Sequence, residues 1–491
     1  MNEQITRLAV TALVLLATLI VGTTYWQAWA APDLAERQDN AIQRVAQFTI
    51  KRGRIYTADR VLVARNVRRR VQGKTLYFRR YPAGGLVAHT VGYSTQVRSR
   101  AGLERSMNDF LTAANANLNT VLDTTLDRLR GKTIKGNDLH LTVNGRAQRA
   151  ALDAFAGRCG AAVALEPATG RVLVAASSPT YDPNLTERHF NRIERVQAAC
   201  GDPAPLLNRA TRGLYAPGSS FKVVPAAAAL NSGRYSPSSS FYDPGYCIEY
   251  GRRVNNYDTS SPFGSVSLVQ AMQHSVNSVF CNIGKQLGPQ PILDYSERFG
   301  FYSVPPLETP ANERAASGLY EKGKLFRPKD RFSVDPGRLA FGQERLLVTP
   351  LQMAMVAAAL GNRGVVMRPY VVDRIRAPGG GVVSRTKPEP LGRAVSAETA
   401  AEVTSMMEAV VSGGTGTAAQ LPGIAVAGKT GTAETGVAGR NTTWFISFAP
   451  SDRPRVAVAV VVENQSGTGG GVSAPIARTI MQALLGSGSN S

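Results

Sequence analysis

The chain has 491 residues, of which 43% are apolar and 19% charged, a balance that belongs to a globular protein and excludes a disordered one. That length exceeds what one ordinary core supports and predicts two domains plus an anchor. The net charge of +21 is unevenly spread, with basic residues crowding positions 51–100 against the single acid Asp59.

In chain order, residues 8–25 come first as an uncharged apolar run, long enough to span a bilayer. Tyr25, Trp26 and Trp29 suit a membrane interface. Ala28-Trp29-Ala30 imitates a small-x-small cleavage site, so a removed signal peptide is the rival reading. The length of the apolar run favours a retained anchor. Residues 1–7 are then a short cytoplasmic tail, and everything beyond the anchor lies outside the membrane. The basic stretch that follows carries no nucleic-acid fold signature, so no nucleic acid is expected. An anionic membrane face or anionic polymer is the expected counter-surface, and a solvated face with no dedicated partner is the alternative.

Residues 32–145 read as a separate module with short alternating strands such as Thr75-Leu76-Tyr77-Phe78. The polar stretch 131–138 is expected to be a loop near its boundary. In the second domain, residues 146–485, segments 161–165 and 171–177 flank a turn and predict a hairpin. A helix is expected over 221–230, a hairpin-like stretch over 242–257 and a strand within 424–435. Within 455–463, the run Val456-Ala457-Val458-Ala459-Val460-Val461-Val462 reads as a central strand buried on both sides. A C-terminal helix is expected over 474–485, opened by Pro475 near its first turn, and 486–491 is a low-complexity tail expected to be disordered. Strands at both ends with helices between them predict an α+β domain, one sheet covered by helices.

Cys159, Cys200, Cys247 and Cys281 fit an exported, oxidising location. None has C-x-x-C spacing, and His89, His140, His189 and His274 do not cluster, so neither a metal site nor a cofactor is expected. Of the three pairings that four thiols allow, we expect Cys159 with Cys200 and Cys247 with Cys281. Free thiols buried as small apolar groups are the alternative.

Three short patterns carry the chemistry. Ser219-Ser220-Phe221-Lys222 places a hydroxyl and an amine one turn apart, where the amine can take the hydroxyl's proton and make a nucleophile. That requires Lys222 to be largely neutral, which burial and a neighbouring cation such as Lys429 would favour. Ser275-Val276-Asn277 and Lys429-Thr430-Gly431-Thr432 follow in the chain. Each pattern alone has a plain structural reading: a helix start with an exposed lysine, and Ser and Asn as helix caps. Together and in this order they are the signature of penicillin-interacting serine enzymes.

The chain resembles the class B penicillin-binding proteins. Beyond the three motifs the likeness takes in Tyr181-Asp182-Pro183-Asn184, Phe341-Gly342-Gln343, Gly413-Gly414-Thr415-Gly416-Thr417-Ala418 and Trp444-Phe445-Ile446-Ser447-Phe448-Ala449-Pro450. The resemblance implies an antiparallel five-stranded sheet covered by helices, the penicillin-binding transpeptidase fold, preceded by an N-terminal pedestal domain and a single transmembrane helix. Arg52-Gly53-Arg54-Ile55 with Asp59-Arg60, and Gly102-Leu103-Glu104, resemble pedestal landmarks that brace it against the catalytic domain. The intervening Tyr56-Thr57-Ala58 departs from the family's spacing.

The resemblance also implies the reaction. Ser219 would attack a peptidoglycan stem peptide ending in D-Ala-D-Ala and expel the last D-alanine. An amine from a neighbouring stem would then resolve the acyl-enzyme into a 4→3 cross-link, and β-lactams would acylate the same serine. Ser275 would relay a proton and Asn277 would hold a substrate amide. Lys429 and Thr430 would grip the substrate carboxylate, Gly431 would allow close approach, and the backbone N–H groups of Ser219 and Thr432 would hold the oxyanion. The first module is too short for a glycosyltransferase, so a separate glycosyltransferase and divisome proteins are expected partners. The motifs do not separate transpeptidase from carboxypeptidase. A β-lactamase or a β-lactam sensor is disfavoured by the anchor, the pedestal and the absence of room for an intracellular domain. A role in division is favoured over elongation.

Overall fold

The computed structural model describes residues 2–26, 48–114 except 72 and 97, and 133–486 except 259, 329–332 and 438. The cleavage-like Ala28-Trp29-Ala30, the start of the expected 131–138 loop and the tail from 487 onward lie outside them. Helix α1, Asn2–Thr24, includes the expected apolar run except its last residue, Tyr25, and its Glu3–Thr24 stretch is long and apolar enough to cross a membrane. Its Leu13, Leu15, Leu16 and Leu19 are exposed among the described residues. Helix geometry continues back to Asn2, so residues 2–7 extend this helix.

Four strands follow: β1 (Ile55–Tyr56), β2 (Leu62–Val71), β3 (Lys74–Arg80) and β4 (Asp138–Leu141). Helix α2 (Gly145–Ala154) leads into the hairpin β5 (Gly160–Leu165) and β6 (Val172–Ser178), as the turn-flanked pattern predicts. Helix α3 (Val223–Asn231), the hairpin β7 (Tyr246–Glu249) and β8 (Arg252–Asn255), and helix α4 (Asn277–Leu287) come next. They are followed by α5 (Pro350–Gly361), β9 (Val372–Arg376), β10 (Val382–Arg385) and α6 (Ala397–Gly413). The chain closes with β11 (Ala427–Val437), β12 (Arg440–Ala449), β13 (Val456–Gln465) and α7 (Gly469–Leu485).

The main sheet has five antiparallel strands in the order β11-β12-β13-β5-β6. Its centre, β13, explains the valine run. Ala457, Ala459 and Val461 join one apolar core with α5, while Val456, Val458, Val460 and Val462 join a second with α2 and α7. Alternation by two residues therefore fills two layers from one strand. Helix α5 is apolar all round because every side faces protein.

Helix α7 begins five residues before the predicted start, and Pro475 lies inside it. Gly469, Gly470 and Gly471 carry no helix signal, which is why the sequence hides this turn. At the first two the lack of a side chain has a packing reason, since a Cβ at 469 would lie 2.3 Å from Trp444 O and one at 470 would lie 2.2 Å from Thr415 O.

A second, six-stranded sheet runs β10-β9-β4-β1-β2-β3. Asp138, placed by sequence in a loop, opens β4, which pairs parallel with β1 and antiparallel with β9. Two strands from residues 372–385 thus complete a sheet whose other four come from the N-terminal module. The landmarks divide their work. Glu104 is buried between Arg52 at 2.9 Å and Arg79 at 2.6 Å, a brace within the module itself. Asp59 accepts from the backbone N–H groups of Gly145 at 2.7 Å and Arg146 at 3.2 Å, at the N-terminus of α2. A carboxylate there meets the positive end of the helix, and this bond joins the module to the catalytic domain.

Both disulfides form in the expected pairing, Cys159–Cys200 and Cys247–Cys281, with Cα–Cα distances of 5.8 and 6.4 Å.

Candidate active site

Ser219 lies in a 3-10 turn, Gly218–Lys222, that runs straight into α3. Residues three apart eclipse one another in such a turn, so Ser219 and Lys222 share a side. Ser219 is half-buried and Lys222 fully buried. The turn is fastened from three directions. Trp444 on β12 donates its indole N–H to Ala216 O at 2.9 Å, Gly218 N donates to Gly342 O at 3.2 Å, and the Ser220 hydroxyl donates to Pro217 O at 2.7 Å. Gly431 makes the fourth contact by having no side chain: a Cβ there would sit 2.7 Å from Pro217 O and 2.9 Å from Ser220 N.

Lys222 Nζ reaches Ser275 O at 2.7 Å, Ser275 Oγ at 3.3 Å and Asn277 Oδ1 at 2.8 Å. Lys429 Nζ donates to the same Ser275 Oγ at 2.8 Å and to Thr430 O at 3.0 Å. Lys222, Ser275, Asn277 and Lys429 therefore meet in one hydrogen-bonded cluster, and Ser219 stands one turn from Lys222. Thr430 is hydrogen-bonded through its hydroxyl to that of Thr415 at 2.6 Å. Thr432 Oγ1 accepts from Gly469 N at 3.2 Å, at the start of α7. β11, which carries 429–432, is an edge strand of the main sheet.

Neither Ser275 nor Asn277 caps a helix. The N-cap of α4 is Val276, without a side-chain cap, and Asn277 spends its amide on Lys222 and on Asn255 O at 3.0 Å. Ser275 holds a left-handed φ of 59°, a strained state for a residue with a side chain. That geometry turns its carbonyl and hydroxyl together toward Lys222.

Behind this cluster, Asp243 ties the start of α4 in place. It accepts from Ser278 Oγ, from Asn256 Nδ2, and from Gly245 and Phe263 N–H groups. Burial pushes its carboxyl up, but these donors outweigh burial and hold it below the usual range. The Cys247–Cys281 bridge fixes α4 to β7 one turn past Asn277. Sequence reasoning assigned no role to Asp243, Asn256, Trp444 or Thr415, because each acts through a partner far away in the chain.

Electrostatics complete the site. Burial, followed by the charge of Lys429, holds the Lys222 amine well below the ordinary lysine value, and burial lowers Lys429 to about 7. The polar groups that touch the two amines are one hydroxyl, two backbone carbonyls and one side-chain amide. Such a set suits an acyl substrate bearing a carboxylate, and offers a metal ion little.

The chain belongs to the penicillin-binding transpeptidase family: the penicillin-binding protein transpeptidase domain matches residues 160–482, and the penicillin-binding protein A dimerisation domain matches residues 52–139. Its similarity to peptidoglycan D,D-transpeptidase PbpA of Mycolicibacterium smegmatis is 34% identity over all of both chains. Peptidoglycan D,D-transpeptidase MrdA of Acinetobacter baumannii is 29% identical over 84% of this chain and 67% of its own length. Among solved structures, penicillin-binding protein A from M. tuberculosis in a ceftriaxone acyl-enzyme complex superposes with a TM-score of 0.80 at 31% identity, over 90% of this chain and 100% of that one.

Proposed function

We propose that this chain is a serine-type peptidoglycan D,D-transpeptidase, anchored by α1 with its catalytic domain outside the membrane, and acylated by β-lactams at Ser219. The observation that carries this reading is the hydroxyl of Ser275 lying within hydrogen-bond reach of both Lys222 and Lys429.

A neutral amine has two N–H donors and one lone pair. Ser275 O and Asn277 Oδ1 can take the two hydrogens of Lys222, which leaves the lone pair for the Ser219 proton. As Ser219 Oγ attacks the carbonyl of the penultimate D-alanine, that proton passes to Lys222. Ser275 relays it to the departing D-alanine nitrogen as the C–N bond breaks. Asn277 holds a substrate amide, and Lys429 with Thr430 holds the terminal carboxylate, charge against charge. The backbone N–H groups of Ser219 and Thr432 receive the oxyanion, and an amine of a second stem then displaces Ser219 to close the cross-link.

Glycan polymerisation belongs to a separate glycosyltransferase, and the work to cell division. The likeness to PbpA runs the whole chain, whereas that to MrdA is looser and shorter. The test is direct. A fluorescent penicillin should label the protein stoichiometrically and persist, and Ser219→Ala should not label. Supplied with lipid-linked precursor and a glycosyltransferase, the protein should yield cross-linked dimers. Trimmed monomers without dimers would instead define a carboxypeptidase.

A further inference from the structure

The six-stranded sheet builds a second cavity, of about 480 Å³, at the seam between the N-terminal module and the catalytic domain. Strand register produces a row across four neighbours: Arg385 on β10 faces Arg374 on β9, Arg374 faces His140 on β4, and His140 faces Tyr56 on β1. All four line the cavity. Two guanidiniums thus stand opposite each other, an arrangement that by itself costs stability. Tyr56 and His140 stack with ring centroids 5.3 Å apart and planes at 17°, which gives the row a flat aromatic end.

Arg376, Arg60 and Arg171 bring three more guanidiniums to the same cavity. Its lining holds one carboxylate, Asp373, already engaged by Arg171 at 3.4 Å and Arg374 at 3.3 Å. Among the described residues, the side chains of Arg60 and Arg385 have no acidic partner. The excess is felt locally: burial, then Arg374 and Arg376, lower the His140 imidazole below its ordinary value. None of these residues belongs to the catalytic cluster.

We propose that this cavity is a binding site for a phosphate ester of the diphosphate class. One carboxylate ligand would leave most of the excess charge unmet. Two linked phosphates carry several charges and present paired oxygens that planar guanidiniums match in forks. The volume accommodates a diphosphate together with one attached group lying against the Tyr56–His140 face.

The full-length chain in neutral detergent is titrated with inorganic pyrophosphate by calorimetry at about 150 mM salt, where loose surface attraction is screened. One site per chain is expected, and the double variant Arg374→Gln, Arg385→Gln should bind about tenfold more weakly or worse. Equal melting temperatures of parent and variant establish that the variant is folded, whatever penicillin does. Should that pair fail to fold, Arg60→Gln, on an exposed turn, should still weaken binding about threefold. Displacement of pyrophosphate by farnesyl diphosphate held in the micelle would assign the ester to a lipid headgroup, and retention would assign it to a soluble ester. No pyrophosphate binding by the parent, or equal binding by a folded variant, would overturn the proposal.

Discussion

Lys429 Nζ donates to Ser275 Oγ over 2.8 Å, and Lys222 Nζ reaches the same oxygen at 3.3 Å. A chain amine–hydroxyl–amine is thereby set before any substrate arrives. Removing the middle group with Ser275→Ala should slow acylation about 10²–10⁴-fold, the usual worth of positioned acid–base catalysis. Stopped-flow labelling with fluorescent penicillin reads this, and a fall under about tenfold would deny Ser275 the relay.

The two lysines should pull the pH profile in opposite directions. Attack needs Lys222 neutral, so acylation rises as pH climbs through its lowered value. Carboxylate binding needs Lys429 charged, so affinity falls as pH climbs through about 7. A penicillin should therefore show an alkaline limb that its neutral methyl ester lacks; a limb shared by both would remove Lys429 as carboxylate anchor. Stability follows the same shifts. Above about pH 7 the unfolded chain keeps protons that the folded chain has shed, so the contribution of these lysines rises with pH up to the ordinary lysine range.

Gly431→Ala should force the nucleophile's turn away from β11, since both close contacts of the new Cβ are backbone atoms. We expect a loss of about 1–3 kcal/mol in urea unfolding. Acylation of the folded fraction should drop about a hundredfold, because the displaced serine no longer meets its carbonyl. Parental labelling rates in this variant would mean that the crossing does not position Ser219.

Glu104→Gln should be among the most damaging single changes in the N-terminal module. It leaves Arg52 and Arg79 buried against each other without their shared carboxylate, a defect that costs about 3–5 kcal/mol. Thermal unfolding of the full chain measures it, and a loss below about 1 kcal/mol would show the brace to be dispensable.

The Cys247–Cys281 bridge closes a loop of sequence separation 34. Replacing both cysteines by serine should cost about 2–4 kcal/mol and loosen α4, so acylation should fall more steeply on warming than in the parent. Identical temperature dependence would separate the bridge from the site.

What the sequence discloses here depends on distance along the chain. The three motifs were readable because the chemistry of each sits within a few residues, and β13 because its valines alternate between two cores. The strand start at Asp138 was not readable: its polarity reads as a loop, and its partners β1 and β9 lie far off in either direction. The early start of α7 was hidden by glycines whose purpose is close packing against Trp444 and Thr415. Asp243 escaped notice for a related reason, since an isolated aspartate gains meaning only from the four donors that the fold assembles around it.

The sheet that mixes residues 55–80 and 138–141 with 372–385 has a mechanical consequence. Excising everything before residue 146 would not release a self-sufficient enzyme. It would leave β9 and β10 as an orphan ribbon with a raw edge inviting another molecule. A pull on residues 55–80 therefore arrives at residue 372 through main-chain hydrogen bonds, so the two parts of the chain are joined by a stiff bracket.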